Sequence, residues 1–248
     1  MRAVWAIVPA AGRGRRLGAP EPKQHLPLAG RSVVAHSLDR LRHPRVRACV
    51  LVLQADDAEG RRLARERGLL TAEGGAERCC SVLAGLRRLE GLAGAEDWVL
   101  VHDAARPCLP RADLDRLLET LEGDPVGGLL AAPVADTLKR GGPEGRVLET
   151  VDRRGLWRAL TPQLFRYGLL RRALEAVHED QGKGGDTDGE GAGGGAHGAV
   201  TDEASAVERL GHAPRLVEGS PVNLKITTAA DLALAEGLLA WLAREGAL

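Results

Sequence analysis

Up to residue 132 the chain alternates short, mostly apolar runs with longer amphipathic stretches, and this alternation restricts what it can fold into. The apolar runs are Val4–Val8, Val46–Leu53, Leu69–Ala72, Trp98–His102 and Gly128–Ala132. Between them, apolar residues recur at helical spacing over Val33–Leu41, Ala58–Arg67, Glu77–Leu89 and Arg111–Leu121. A strand that is apolar on both sides must be covered on both sides, and strands separated by helices run parallel. The expected class is therefore α/β: a mostly parallel twisted sheet with helices on both faces, Rossmann-like in kind. Such sheets bind ligands at the carboxyl ends of their strands.

After Ala132 the alternation stops. Pro133–Lys139 and Arg146–Val151 read as two extended segments around a turn, a β-hairpin arm over 133–156 that projects from the sheet. Tyr167–His178 reads as a helix. Residues 181–200 contain nine glycines among small or polar residues and are expected to form a flexible, solvated loop. A helix over Thr201–Leu210 follows, then extended pieces at Arg215–Val217 and Val222–Thr227. The last helix opens on Thr228-Ala-Ala-Asp231, the spacing of a capping box, and Leu232, Ala235, Leu239 and Leu242 mark its core face. Residues 1–248 read as a single domain.

Charge and composition exclude several function classes. The 34 basic and 34 acidic residues cancel, and aromatic residues make up 2% of the chain. A binder of nucleic-acid polymers carries a basic excess and stacking platforms, and this chain has neither in bulk. No apolar run approaches the ~20 residues of a membrane span. The run ending at Pro9 is too short for a signal-peptide core. Cys49, Cys79, Cys80 and Cys108 form no C-x-x-C pair and read as reduced thiols of a cytoplasmic protein.

The zero sum hides a local excess. The first strand runs into Pro9-Ala-Ala-Gly12-Arg-Gly14-Arg-Arg16-Leu-Gly18, then Pro22-Lys23-Gln24. Arg13, Arg15, Arg16 and Lys23 face only Glu21, a local balance of +3. Small residues after a strand let backbone amides approach an anion. No Gly precedes a Lys-Ser or Lys-Thr pair, so this is not a Walker A loop. Leu17 occupies the third glycine position of a dinucleotide fingerprint, and Arg31–Leu38 lies where its acidic residue belongs, so a dinucleotide-dependent oxidoreductase is disfavoured. A Gly-rich turn followed by Arg16 and Lys23 can grip a triphosphate from two sides. Lys is rare in this chain, at four positions (Lys23, Lys139, Lys183, Lys225). A site that wants a compact ammonium is one reason to retain it.

Further blocks follow in order: Glu77-Arg78-x-x-Ser81-Val-x-x-Gly85-Leu86, Val101-His-Asp103-Ala-Ala-Arg106-Pro107, Asp136-Thr137-x-Lys139, Thr150-Val-Asp-Arg153-x-Gly-Leu-Trp157, Leu160-Thr161-Pro-Gln163, Val200-Thr201-Asp-Glu-Ala-Ser205 and Asn223-x-Lys225. With the glycine-rich loop, this set resembles the 2-C-methyl-D-erythritol 4-phosphate cytidylyltransferase family of the non-mevalonate isoprenoid pathway, within the nucleotidyltransferase fold. The resemblance covers about residues 3–240.

The resemblance implies transfer of CMP from CTP to 2-C-methyl-D-erythritol 4-phosphate with release of pyrophosphate, assisted by magnesium held mainly by the CTP phosphates. It implies Arg16 and Lys23 as catalytic stabilisers of the transition state. Pro9, Ala10, Ala11, Gly12, Gly14, Gly75, Arg78 and Ser81 would bind CTP, although Ser81 could instead cap its helix. Asp103, Arg106, Thr137, Arg153, Thr161, Thr201 and Lys225 would bind the acceptor. Asp103 would touch either the polyol or the metal–ribose region. Arg106 either faces the site or pairs with a surface acid. His102, on the opposite side of its strand from Asp103, is expected to be structural. The family arm crosses to a second subunit, which implies a homodimer with a shared site. Alternatives are a ribitol 5-phosphate cytidylyltransferase, disfavoured by the blocks at 150–157 and 200–205, and a non-catalytic nucleotide-binding regulator, which would not need both Arg16 and Lys23. Two departures from the family pattern are the length of 181–200 and the Cys79-Cys80 pair.

Overall fold

The structure is a computed structural model, and it describes residues 2–12, 22–183 and 200–248, with the backbone alone at 181–183. Its centre is a seven-stranded sheet built from β1 (Val4–Pro9), β4 (Val46–Leu53), β5 (Leu70–Glu73), β6 (Trp98–Val101), β7 (Gly127–Pro133), β10 (Trp157–Arg166) and β11 (Arg215–Glu218). The spatial order is β11-β7-β10-β6-β1-β4-β5. β1 pairs in parallel with β4 and β6, β4 with β5, and β11 with β7. Only β10 runs the other way, antiparallel to both β6 and β7.

The unbroken apolar character of the strands has the expected cause. Along β1, Val4, Ala6 and Val8 enter one core cluster while Trp5 and Ile7 enter the other. Successive side chains point to opposite faces, so a strand covered twice has no polar face to offer. The first cluster is closed by α1 (Val33–Arg40), α2 (Ala58–Glu66) and α4 (Arg111–Thr120). The second is closed by α3 (Arg78–Arg88), α5 (Tyr167–Lys183) and α6 (Glu203–Arg209). A third, smaller cluster joins α7 (Ala229–Arg244) to Leu28, Val33, Ala105, Cys108 and Ile226. Here Ala235, Leu239 and Leu242 are buried on the core face expected of α7, and Thr228 and Asp231 form its capping box.

Two short strands, β2 (Pro27–Leu28) and β3 (Arg31–Ser32), pair just before α1. β8 (Leu138–Gly141) and β9 (Val147–Val151) form a separate antiparallel pair within 133–156. Val147 and Leu148 on it are 61% and 66% exposed. Three differences from the sequence reading stand out. The strand β10 had no counterpart in the pattern. Val222–Thr227 forms no strand: it opens in a turn closed by Asn223 N–H to the Ser220 carbonyl (3.1 Å), and Ile226 N–H goes to the Ala105 carbonyl (2.8 Å). α5 continues to Lys183, into the first residues of the glycine-rich stretch, the rest of which lies outside the described residues except for Val200.

Candidate active site

At the carboxyl ends of β1 and β6 the surface opens into a cleft of about 340 Å3. Pro9, Ala10, Ala11, Gly12, Lys23, Gly75, Arg78, Ser81, Asp103 and Lys225 line it. Gly14 and Arg16 lie outside the described residues. Arg106 and Thr161 are buried just behind the wall, 8% and 4% exposed. Thr137 and Arg153 are exposed on loops that flank β8 and β9, and Thr201 is exposed before α6; none of the three lines the cleft.

The floor is held rigid from below. Ala10 N–H donates to the Val52 carbonyl (2.8 Å), and the Gln24 side-chain amide donates to the Ala10 carbonyl (2.7 Å). The Gln54 amide donates to the Ala11 carbonyl. Both alanine carbonyls at the strand end are thus occupied, and Gln24 fixes the backbone beside Lys23. The β5–α3 turn packs against this floor so closely that a Cβ on Gly74 would come within 2.3 Å of Ala11 Cβ, and one on Gly75 within 2.5 Å of Cys80 Cβ. Glycine is required at both positions by space. The turn delivers the N-terminus of α3 to the cleft, where the first amides have no partner within the helix and the dipole favours an anion. Ser81 does not act as the N-cap; its hydroxyl donates to the Glu77 carbonyl (3.1 Å).

Charge converges on Asp103, the residue that follows the buried end of β6. Its carboxylate accepts from Arg78 Nε (3.1 Å) and faces Lys225 Nζ at 2.9 Å and Arg106 Nε at 3.5 Å. Burial alone would raise this carboxyl, but Arg78, Lys225 and Arg106 outweigh it and hold Asp103 well below the usual carboxylate range. Arg78 is gripped from its other side by Glu203, with Nη1 to Oε1 at 2.5 Å and Nη2 to Oε2 at 3.0 Å. The Glu203 side chain is 1% exposed. Burial pushes its carboxyl up, and the facing guanidinium opposes that. Arg106 Nη1 donates to the Asn223 carbonyl (2.7 Å), which pairs this residue with the site rather than with a surface acid. Lys23 Nζ donates to the Ile226 carbonyl (3.3 Å), one residue from Lys225, so two ammonium groups meet at one stretch of chain. Asp103 thus serves as a pivot that spaces cations around the cleft.

The backbone of Asp103 is set by a chain of hydrogen bonds. Asp103 N–H donates to Thr161 Oγ1 (3.1 Å), Thr161 Oγ1 pairs with His102 Nδ1 (3.0 Å), and His102 Nε2 pairs with the Arg106 carbonyl (3.1 Å). A carbonyl can only accept, so Nε2 carries the proton and Nδ1 accepts from the threonine hydroxyl. Thr161 therefore orients Asp103 from inside, and its hydroxyl is committed there. His102 is structural, as expected. Burial drops its pKa to about 4. The unfolded chain takes up this proton near pH 6.5, whereas the folded chain refuses it until about pH 4, so the stability contribution is complete above pH 6.5 and is lost as pH falls. One such group gives a slope of at most about 1.4 kcal/mol per pH unit between these limits. Urea unfolding from pH 6.5 to 5 is expected to show a shallower pH slope in His102→Asn than in the wild type; equal slopes would remove His102 as the cause.

Sequence reasoning did not assign roles to Glu203, Gln24, Gln54, Gly74 or Asn223. Asn223 donates its side-chain amide to the Thr161 carbonyl (2.7 Å), and Gln163 ties β10 to α6 through Asp202 Oδ2 (2.8 Å) and Ala204 N–H (2.8 Å). Gln24, Gln163, Glu203 and Asn223 all sit inside the quoted blocks, and that was the available signal.

Comparison with known proteins agrees with this geometry. The family model described as 2-C-methyl-D-erythritol 4-phosphate cytidylyltransferase matches residues 4–241. A Pseudomonas aeruginosa protein of that name is 54% identical over 234 residues, 93% of each chain. One from Xanthomonas campestris pv. campestris is 52% identical over 247 residues, 98% of this chain and 87% of the relative. A crystal structure of 4-diphosphocytidyl-2C-methyl-D-erythritol synthase superimposes with a TM-score of 0.80 at 39% identity, covering 96% of this chain and 99% of the other. The Thermus thermophilus 2-C-methyl-D-erythritol 4-phosphate cytidylyltransferase does so with a TM-score of 0.72 at 30% identity, covering 96% and 99%. With a nucleotidyltransferase sheet, a cationic cleft at its carboxyl edge and this match over nearly its whole length, the chain belongs to the 2-C-methyl-D-erythritol 4-phosphate cytidylyltransferase family.

Proposed function

We propose that this protein transfers CMP from CTP to 2-C-methyl-D-erythritol 4-phosphate, giving 4-diphosphocytidyl-2-C-methyl-D-erythritol and pyrophosphate. The observation that carries the reading is the cleft at the sheet's carboxyl edge, in which Arg78 and Lys225 hold one pinned carboxylate and Lys23 lines the same wall. In this reaction an acceptor phosphate oxygen attacks the CTP α-phosphorus in line with the departing pyrophosphate. Two anions must be brought together, so catalysis is positioning and charge neutralisation. The backbone of Ala10, Ala11 and Gly12 and the α3 N-terminus receive the nucleotide. Few aromatic side chains are available to stack on cytosine, and backbone groups near Gly75 and Ser81 read it instead. Lys23 faces the triphosphate together with Arg16, whose role rests on its place in the motif. Lys225 meets the acceptor phosphate, and Arg106 and Asp103 hold it there.

Magnesium enters as part of the nucleotide substrate. No group of three or more His, Cys, Asp or Glu side chains able to hold a metal is found among the described residues, and of the cleft's two carboxylates, Glu77 and Asp103, the latter is committed to three cations. Carriage on the CTP phosphates fits this donor set.

Thr137 and Arg153 support a shared site. They lie on the arm, away from this protomer's own cleft, and the arm exposes Val147 and Leu148. A second copy of the chain would cover those side chains and receive Thr137 and Arg153 at its acceptor site. Mixing Arg153→Ala with Lys23→Ala protomers is then expected to restore part of the activity that each lacks alone; the absence of complementation would show that the sites are separate. The single-domain reading and a cytoplasmic location complete the proposal. Four free thiols fit a reducing compartment, and no helix among the described residues is long and apolar enough to cross a membrane.

The deciding experiment measures pyrophosphate release with each of the four nucleoside triphosphates against 2-C-methyl-D-erythritol 4-phosphate and ribitol 5-phosphate. Turnover with CTP and the methylerythritol substrate is expected. Preference for ribitol 5-phosphate, or no turnover with any pair, would reject the proposal.

A further inference from the structure

A second cavity, of about 460 Å3, lies at the C-terminal end of α1 and shares no lining residue with the active-site cleft. Five arginines line it (Arg31, Arg40, Arg42, Arg67 and Arg111) with one acidic side chain, Asp39, and the terminal residue Leu248. That acid is already spent: its carboxylate takes Arg31 on one oxygen and Arg67 on the other at 2.7 Å. Arg111 pairs outside the cavity, with Asp115 at 3.1 Å. Arg42 is exposed and has no ion pair among the described residues. Most telling is Arg40. Its Nε and Nη1 are buried and have no hydrogen-bond partner among the described residues. A basic residue in the last turn of a helix is ordinary, because it meets the negative end of the dipole. Five guanidinium groups converging on a concave surface around one shared carboxylate exceed what that effect needs.

We propose that this cavity binds a small polyanion carrying two or more phosphates. The guanidinium fork matches phosphate oxygens with paired, charge-assisted hydrogen bonds. The volume falls in the range of small-molecule sites. Such a ligand supplies counter-charge for the exposed Arg42 and for the Arg40 guanidinium, whose closed-off Nε and Nη1 leave its charge uncompensated from the protein side. The site also has a physical route to the cleft. Val34 N–H, in the first turn of α1, donates to the Gln24 carbonyl (2.9 Å), and Ser37 Oγ donates to the Ala104 carbonyl (2.8 Å). The helix whose end carries Arg40 therefore touches the neighbours of both Lys23 and Asp103.

Calorimetric titration of inorganic tripolyphosphate into the full chain tests this. Tripolyphosphate can also enter the active-site cleft, so the titration is repeated in Lys225→Ala, which weakens that site. One binding event is expected to persist in Lys225→Ala and to weaken at least tenfold when Arg42→Glu is added. Arg42→Glu alone is expected to keep CTP turnover within about twofold of the wild type, because Arg42 is exposed and remote from the cleft. A second substitution, Arg31→Gln, is expected to weaken the same event while circular dichroism shows an intact fold. The proposal is overturned if no event persists in Lys225→Ala, or if the persisting event is unchanged by both arginine substitutions. Loss of CTP turnover in the wild type would reject the transferase reading and leave this result standing.

Discussion

Replacing Lys23 with alanine is expected to lower kcat for CMP transfer by about 10²–10³-fold, the scale of losing one preorganised charge stabiliser. The geometry says why this loss falls on turnover. Lys23 is carried by a short segment that is tied down on both sides: Gln24 is locked to Ala10 at the end of β1, and the Lys23 ammonium rests on the Ile226 carbonyl at 3.3 Å. Its position is fixed before any substrate arrives. In the proposed mechanism, charge growing on the leaving pyrophosphate is then met without the cost of bringing a cation into place. Removing it also leaves the packing of the floor untouched, since Gln24 and Gln54 still hold Ala10 and Ala11. The variant should therefore unfold within about 1 kcal/mol of the wild type, the ordinary range for a half-buried polar substitution. Steady-state kinetics and urea unfolding on the same preparation separate the two effects. Turnover within threefold of the wild type would take Lys23 out of the mechanism. A fall matched by a large loss of stability would make it a structural residue.

The sheet was legible in the sequence wherever a strand is buried on both faces. β1 and the second half of β4 emerge as unbroken apolar runs because Trp5, Ile7, Val50 and Val52 go to one core and Val4, Ala6, Val8, Leu51 and Leu53 to the other. β10 was illegible for the opposite reason. It begins exposed at Trp157 and Arg158, and it carries Pro162 where its pairing with β7 shifts register between Ala159 and Gln163. A proline inside a run argues against a central strand, and only the bulge accommodates it. The site divides in the same way. Asp103 could be placed at a strand end from its position alone. Its pairing with Arg78, Arg106 and Lys225 could not, because those residues arrive from the start of α3, the following loop and the approach to α7. Thr161 shows the limit of carrying a role over by motif. Its position matches, yet the hydroxyl is buried and already bonded to His102 and to the Asp103 amide.

Glu203 is the sharpest instance of burial that the sequence conceals. In Thr201-Asp-Glu-Ala-Ser205 it reads as one more acid in the first turn of a helix, where carboxylates are common on solvated surfaces. In the fold it is fully buried and holds Arg78 through both oxygens, while Asp103 holds the same guanidinium through Nε. Arg78 cannot swing away from the cleft without leaving a charge of opposite sign unpaired in the interior. Glu203→Gln is therefore expected to destabilise the protein by about 2–3 kcal/mol, below the 3–5 kcal/mol of a wholly buried pair because Arg78 keeps Asp103 and partial contact with water. It should raise KM for CTP about tenfold, as Arg78 loses its fixed orientation, while kcat changes less. A merely structural role would lower stability and leave KM alone. The coupling can be isolated by a double-mutant cycle on urea unfolding with Glu203→Gln and Arg78→Met. Each single variant strands a buried charge, and the double variant strands neither on this pair, so its cost should fall short of the sum by at least 1 kcal/mol. Additive costs would mean that Glu203 and Arg78 contribute independently. The clamp would then be a feature of the folded geometry with no energetic hold on the arginine that lines the cleft.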